Sequence, residues 1–162
     1  MREIEAGDLV SFDTDLIGPY GYCSDISRSW RCGDGKPDDE QRRLYAAAYD
    51  QIKHNIAILK PGMSFREVSE KAWPIPDAYL SNRYGSLIHG VGLADEYPSI
   101  KHWPDFAARG YDGLVQEGMT LCVESFIGVE GGKEGVKLEE QVLITATDAE
   151  LLSSYPMETD WL

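Results

Sequence analysis

Two glutamates stand in the middle of runs that otherwise read as buried β-strands, and this limits the chain's possible folds more than any other feature. Glu124 interrupts Leu121-Cys-Val-Glu-Ser-Phe-Ile127, and Glu139 lies in Lys137-Leu-Glu-Glu-Gln-Val-Leu-Ile144. A turn at Gly131-Gly132 between them makes a hairpin in which Glu124 directly faces Glu139. Like charges opposed across a ladder destabilise it, and burial makes the penalty worse unless positive charge sits between them. A divalent cation is the economical answer. The N-terminal part repeats the pattern. Asp8–Asp13 reads as a strand, Gly18-Pro19 and Gly21 as a turn, and Ile26–Arg31 as the returning strand. Asp13 and Asp15 leave the first strand on one face, and a turn centred on Tyr20 brings Asp25 opposite Asp15. His89, followed by Gly90, adds an imidazole where the backbone can approach closely.

Taken singly, each residue has an ordinary reading: an aspartate beside Gly-Pro forms turns, and a lone histidine is a satisfied core residue. Glu140, next to Glu139, reads as solvent-facing. Together, two hairpins of opposed acids and one histidine make an oxygen-rich site suited to Mn, Fe, Co or Zn. Five or six such ligands exceed the needs of one ion, so two ions sharing carboxylates are expected.

The remainder reads as helix and loop. Tyr45, Tyr49, Ile52, Ile56 and Leu59 form one helical stripe within 38–60, with Pro37 in the first turn and Pro61-Gly62 at the end. Ser64-Phe-Arg-Glu67 has capping-box spacing and starts a short helix ending before Pro74. The segment 74–111 reads mostly as loop, with a short strand near Leu87-Ile88. Strand pairs plus helices give an α+β class. A chain of 162 residues suits one domain. Its net charge of −13 repels nucleic acid and anionic lipid. No apolar run is long enough to cross a bilayer, and Met1–Asp8 has no signal-peptide core. Cys23, Cys32 and Cys122 read as reduced thiols of a cytoplasmic protein.

The order Asp…Asp25-Ile-Ser-Arg…His89-Gly-Val-Gly…Glu124…Leu138-Glu139-Glu140 resembles the M24 metallopeptidase family and its pita-bread fold, over about Gly7 to Thr145. The resemblance implies a dinuclear site held by Asp15 or Asp13, Asp25, His89, Glu124 and Glu139. Asp25 lies twelve residues from Asp13 and ten from Asp15, so both aspartates are taken as ligands. Peptidases of the family carry a His-Glu-x-Pro motif, whereas this chain reads Asp95-Glu-Tyr-Pro98. An ionised aspartate cannot donate to an oxyanion but can accept a proton.

The run Phe12–Trp30 and the Asp95-Glu96 pair are similar to the dimethylsulfoniopropionate lyase branch of the family. That resemblance implies a metal-dependent β-elimination giving dimethyl sulfide and acrylate. It assigns iron as the metal, Asp95 as the base, Tyr84 beside it, and a small zwitterionic substrate. Asp95 is then expected to be partly desolvated and crowded by other acids. Tyr97 and Trp103 are aromatic candidates for the sulfonium, while Trp30 and Trp73 read as packing. The rival is a Xaa-Pro peptidase or creatinase-like hydrolase on the same metals, with His54 or His102 supplying the missing donor, although both read as surface or helix residues. A non-catalytic binding module would be expected to lose metal ligands that this chain keeps. The family's catalytic domain has two similar halves, so the 162 residues are expected to be its C-terminal metal-binding portion, within a homo-oligomer (a dimer).

Overall fold

The computed structural model describes residues 3–162; Met1 and Arg2, the first residues of the polar N-terminal stretch, lie outside the described residues. The chain is α+β. Strand β1 (Leu9–Asp13) pairs antiparallel with β4 (Ser27–Arg31), and the short β2 (Leu16–Ile17) with β3 (Cys23–Ser24) continues the same hairpin outward. Its register, Asp13 against Ser27 and Leu16 against Ser24, places Asp15 level with Asp25. Helix α1 (Asp39–Ile58) and the shorter α2 (Phe65–Lys71) and α3 (Asp77–Leu80) follow. Next come β5 (Ile88–Val91), β6 (Asp95–Ile100), α4 (Trp103–Arg109), β7 (Thr120–Gly128), β8 (Gly135–Ile144) and β9 (Ala149–Leu151). The last five strands form one antiparallel sheet in the order β6-β5-β7-β8-β9.

This sheet is the middle of three layers. Helix α1 packs on β7 and β8 from one side, and the β1–β4 hairpin packs on β8 from the other. On the helix side, Leu121, Val123, Ile127, Val136, Leu138, Val142 and Ile144 meet Leu44, Tyr45, Ala48 and Ile52 of α1 to form the core. Each of these larger side chains contributes roughly 1.5–3 kcal/mol on burial. On the hairpin side, the alternate residues of the same strands include Cys122, Glu124, Lys137, Glu139 and Gln141, and these build the site.

Several expectations are corrected. Pro37 lies outside α1: Asp38 is the N-cap, its carboxylate accepts from the Gln41 amide, and the Gln41 side chain returns the bond. The Ser64–Glu67 capping box forms as expected. The segment 74–111 contains much more than a short strand: β5 is fully buried inside the sheet and β6 is its edge. The β6 sequence Asp-Glu-Tyr-Pro-Ser-Ile hides its strand because an edge strand tolerates charge and proline. Glu140 is buried, not solvent-facing. It sits on the α1 face of β8, where the core would exclude it but for a 2.8 Å ion pair with buried Arg28. His102 is also buried.

Two glycines position the site. Gly131, at φ 72°, makes the left-handed turn that sets the β7–β8 register, which puts Glu124 opposite Glu139. Gly90 sits at an irregularity between β5 and β6. A Cβ there would lie 2.0 Å from the Tyr97 carbonyl oxygen and 2.5 Å from Pro98 Cδ. Gly90→Ala is therefore expected to force β6, and Asp95 with it, away from β5. The expected cost is about 2 kcal/mol in a denaturant melt, and an unchanged midpoint would refute the close approach.

Among the described residues, no helix is long and apolar enough to cross a membrane, and Cys23, Cys32 and Cys122 are free thiols.

Candidate metal centre

Alternation along the central strands sends His89, Cys122, Glu124, Lys137 and Glu139 toward the hairpin layer. His89 pairs with Cys122 across β5–β7, and Glu124 with Glu139 across β7–β8. The hairpin brings Asp13, Asp15 and Asp25 from the other side. Asp15 adopts φ 27°, ending the strand run between β1 and β2. In an unbroken strand, Asp13 and Asp15 would project in parallel about 7 Å apart. Here one carboxylate oxygen from each of Asp13, Asp15 and Asp25 lies within 4.8 Å of the others.

The His89 imidazole stands at the centre. Its Nε2 is 3.2 Å from Glu124 Oε1, 3.4 Å from Glu139 Oε1 and 3.8 Å from Asp25 Oδ2. Its Nδ1 is 3.2 Å from the Gly90 carbonyl and 3.6 Å from Asp95 Oδ1. The set Asp25, His89, Cys122 and Glu139 also fits within 4.8 Å. Cys122 was not among the sequence candidates. Its signal was its position two residues before Glu124, which places both side chains on one face of β7.

The titration behaviour follows from the crowding. Burial and the Glu139, Asp13 and Asp15 charges push Asp25 up to about 8. Burial, Asp13 and Asp95 raise Asp15. Burial and the facing Glu139 raise Glu124 against the pull of His89 and Lys137. Burial would raise Glu139 too, but hydrogen bonds from His89 and Ser27 and the Lys137 charge hold it low. Burial alone would lower His89, yet Glu124 and Glu139 lift it to about 11. The acids thus draw positive charge from any group within reach.

The residues fit a bound cation. Asp25 Oδ1 is buried without a hydrogen-bond partner, and the buried Glu139 Oε1 has only the His89 imidazole 3.4 Å away. An unsatisfied buried carboxylate oxygen is costly unless a cation completes it. Carboxylates with one imidazole are the donor set of first-row divalent ions. Asp13, Asp15, Asp25, His89, Glu124 and Glu139 are brought together. Sequence reasoning missed Lys137, a buried ammonium among the same acids.

Of the remaining candidates, Asp95 is close to the cluster with its side chain one-quarter exposed. The Tyr84 ring lies over Lys137 Nζ, with the centroid at 4.3 Å. Tyr97 is exposed on β6 and stacks on Tyr111. Trp103 is not brought to the cluster: it begins α4, stacks on Phe106 and lines a separate cleft of about 220 Å³ with Trp73, Leu80 and His102. Trp30 meets Tyr155 edge-on and Trp73 packs against the core, as expected. His54 is exposed on α1.

Residues 1–146 match the model of metallopeptidase family M24. The chain belongs to metallopeptidase family M24. Among its relatives, it is 46% identical over 158 residues to the dimethylsulfoniopropionate lyase DddP of Roseovarius nubinhibens, and 44% identical to that of Roseobacter denitrificans. Each alignment covers 97% of this chain, and the chain spans 35% of the length of each lyase. Among solved structures, the prolidase of Pyrococcus furiosus superposes with a TM-score of 0.75 at 31% identity, over 94% of this chain and 43% of that one. The α+β architecture is thus that of the M24 pita-bread fold, as the sequence order of acids and histidine implied.

His102 illustrates the family fold's buried polar cost. Burial, with the nearby Arg83 charge, lowers it to about 4 from a reference of 6.5. Between those values the unfolded chain holds the proton and the folded chain does not. The neutral ring's stability is therefore fully present above about pH 6.5 and is lost as pH falls toward 4. His102→Gln is expected to flatten the melting profile over that window relative to wild type. Parallel profiles would refute it.

Proposed function

We propose that this chain is the metal-carrying, C-terminal portion of a pita-bread catalytic domain that cleaves dimethylsulfoniopropionate to dimethyl sulfide and acrylate. The observation that carries the reading is Asp95. It lies 3.6 Å from His89 at the edge of the acid cluster, in a motif where the family's peptidases carry histidine. The high identity to two lyases over nearly the whole chain supports the same assignment.

Asp13, Asp15, Asp25, His89, Glu124 and Glu139 would hold two divalent ions, with iron as the native metal. Bound there, the ions would supply positive charge that fixes the substrate carboxylate and acidifies the adjacent C–H. Asp95 takes that proton at a carboxylate oxygen. The electron pair of the breaking C–H bond forms the acrylate double bond as the C–S bond breaks, and its electrons leave on neutral dimethyl sulfide. Glu96, at φ 63°, turns the β6 start so that Asp95 Oδ1 accepts from the Glu96 amide, fixing the carboxylate for this role. Tyr84, held over Lys137, borders the same space, and Tyr97 offers an exposed ring to the sulfonium.

The peptidase alternative needs a donor for an oxyanion. Neither remaining histidine serves: His54 is bonded to the Lys71 carbonyl, and His102 lies in the Trp103 cleft. We further propose a cytoplasmic homodimer, for which exposed Leu16, Ile17, Tyr20 and Tyr22 at the hairpin tip supply apolar contact surface.

The test is headspace analysis of purified protein supplied with ferrous iron and dimethylsulfoniopropionate. Release of dimethyl sulfide in step with acrylate is expected. Proline release from Xaa-Pro dipeptides with no sulfide would replace this reading with the hydrolase.

A further inference from the structure

Lys137, on β8, is nearly fully buried inside the acid cluster. Lys137 Nζ lies 2.5 Å from Glu124 Oε2, 3.2 Å from Asp13 Oδ2 and 3.4 Å from Glu139 Oε2. Its fourth side faces the Tyr84 ring at 4.3 Å. It therefore ties together three pieces of the site: the hairpin layer through Asp13, β7 through Glu124 and its own strand through Glu139. Two strands of the central sheet are thereby joined to the layer above.

The division of oxygens is orderly. The Oε1 atoms of Glu124 and Glu139 turn toward His89, and the Oε2 atoms toward Lys137. An ammonium takes one face of the glutamate pair and leaves the imidazole face, with the unpartnered Asp25 Oδ1 and the Glu139 Oε1 that only His89 approaches, for another cation.

We propose that Lys137 is a resident counter-ion of the cluster, a positioning residue with two effects. It keeps the acids assembled when no metal is bound, and it limits the metal charge the site accepts. The charges agree with this. Ionised as ligands of bound cations, Asp13, Asp15, Asp25, Glu124 and Glu139 would carry five negative charges, and Lys137 offsets one of them. The remaining four match two divalent ions with a neutral His89 as ligand. Without Lys137 the same acids would be one positive charge short with both ions in place, and would repel one another more strongly with none. A buried ion with three carboxylate partners is costly to desolvate, so removing it while the partners stay leaves them uncompensated. This inference rests on the cluster's taking divalent ions and not on the substrate assigned above, so a failure to release dimethyl sulfide would leave it standing.

The experiment is a set of thermal melts on the whole chain in EDTA and in Mn²⁺, comparing wild type with Lys137→Met, Lys137→Arg and the double variant Lys137→Met/Glu124→Gln. In EDTA, Lys137→Met is expected to melt about 10 °C below wild type, and Lys137→Arg, which keeps the charge, much closer to it. Mn²⁺ is expected to raise the Lys137→Met midpoint by more than it raises that of wild type, because the variant's acids lack their resident cation. Neutralising Glu124 in the double variant is expected to restore part of the EDTA loss. If Lys137→Met is insoluble, recovery of soluble protein in the double variant takes the place of the midpoint. A Lys137→Met midpoint at or above wild type in EDTA overturns the proposal. So does a double variant no better than the single one, or an equal Mn²⁺ shift in wild type and Lys137→Met, since packing alone would give those results.

Discussion

Asp95→Asn is expected to lower dimethyl sulfide release by about a thousandfold, within the usual range for loss of a positioned general base, while leaving bound metal unchanged. The amide is nearly isosteric and keeps a carbonyl oxygen to accept the Glu96 N–H that now bonds Asp95 Oδ1, so the β6 start keeps its shape. What is lost is the ability to take a proton. The side chain lies 3.6 Å from His89 Nδ1, on the side away from the Nε2 that faces Glu124 and Glu139. A ligand role would therefore show as metal loss and a base role would not. Measuring kcat together with metal content separates them: a large fall in kcat with full metal supports the base. Metal loss in proportion to the fall in activity would make Asp95 a ligand, and unchanged kcat would remove it from the mechanism.

The second large effect is on stability. Arg28 is buried and its guanidinium is fully engaged. It donates to the Ser27 and Glu139 carbonyls at 2.9 and 2.7 Å and to the Tyr155 carbonyl at 2.6 Å. It also donates to the Pro156 carbonyl at 3.3 Å and to Glu140 Oε1 at 2.8 Å. It thus bolts the hairpin to β8 and to the C-terminal segment. Arg28→Met strands the Glu140 carboxylate under α1, where Oε2 already has no partner. Removing one member of a buried ion pair costs about 3–5 kcal/mol, a large share of the roughly 5–15 kcal/mol typical of a domain. A midpoint about 10 °C lower is expected. Arg28→Met/Glu140→Leu is expected to recover much of it, because the uncompensated charge is then gone. If Arg28→Met alone melts within a degree or two of wild type, the ion pair does not hold the layers together.

The readable part of the site was the part governed by local rules. The glycine pair at 131–132 and the period of two fixed the Glu124–Glu139 opposition, and the Tyr20 turn fixed the level of Asp15 and Asp25. Both follow from hairpin geometry, which needs no knowledge of the rest of the chain. The capping box at Ser64 is equally local. What could not be read depended on layers stacking on both faces of one sheet. Alternation marks Glu140 as outward only if one face of β8 meets water, and here α1 covers that face. Nothing local marked Lys137 or Arg28 as buried, since Asp13 and Glu140, which pair with them, come from distant parts of the chain. Buried Gln41, Gln51 and Asn55 on α1 escaped a stripe drawn from apolar residues alone. They are stationed to bond backbone and side chains, as when Asn55 accepts from the Trp73 amide and Gln51 from Ser125. Trp103 was grouped with the site by closeness in sequence, but α4 carries it into another cleft.

The central claim is that acids which repel one another share this space because divalent cations join them. Calorimetric titration of metal-free protein with Mn²⁺, run beside Asp25→Asn and Glu139→Gln, tests it most directly. Two ions per wild-type chain, with uptake lost or halved in each variant, is the predicted result. No uptake by wild type, or uptake that both variants leave unchanged, would contradict it.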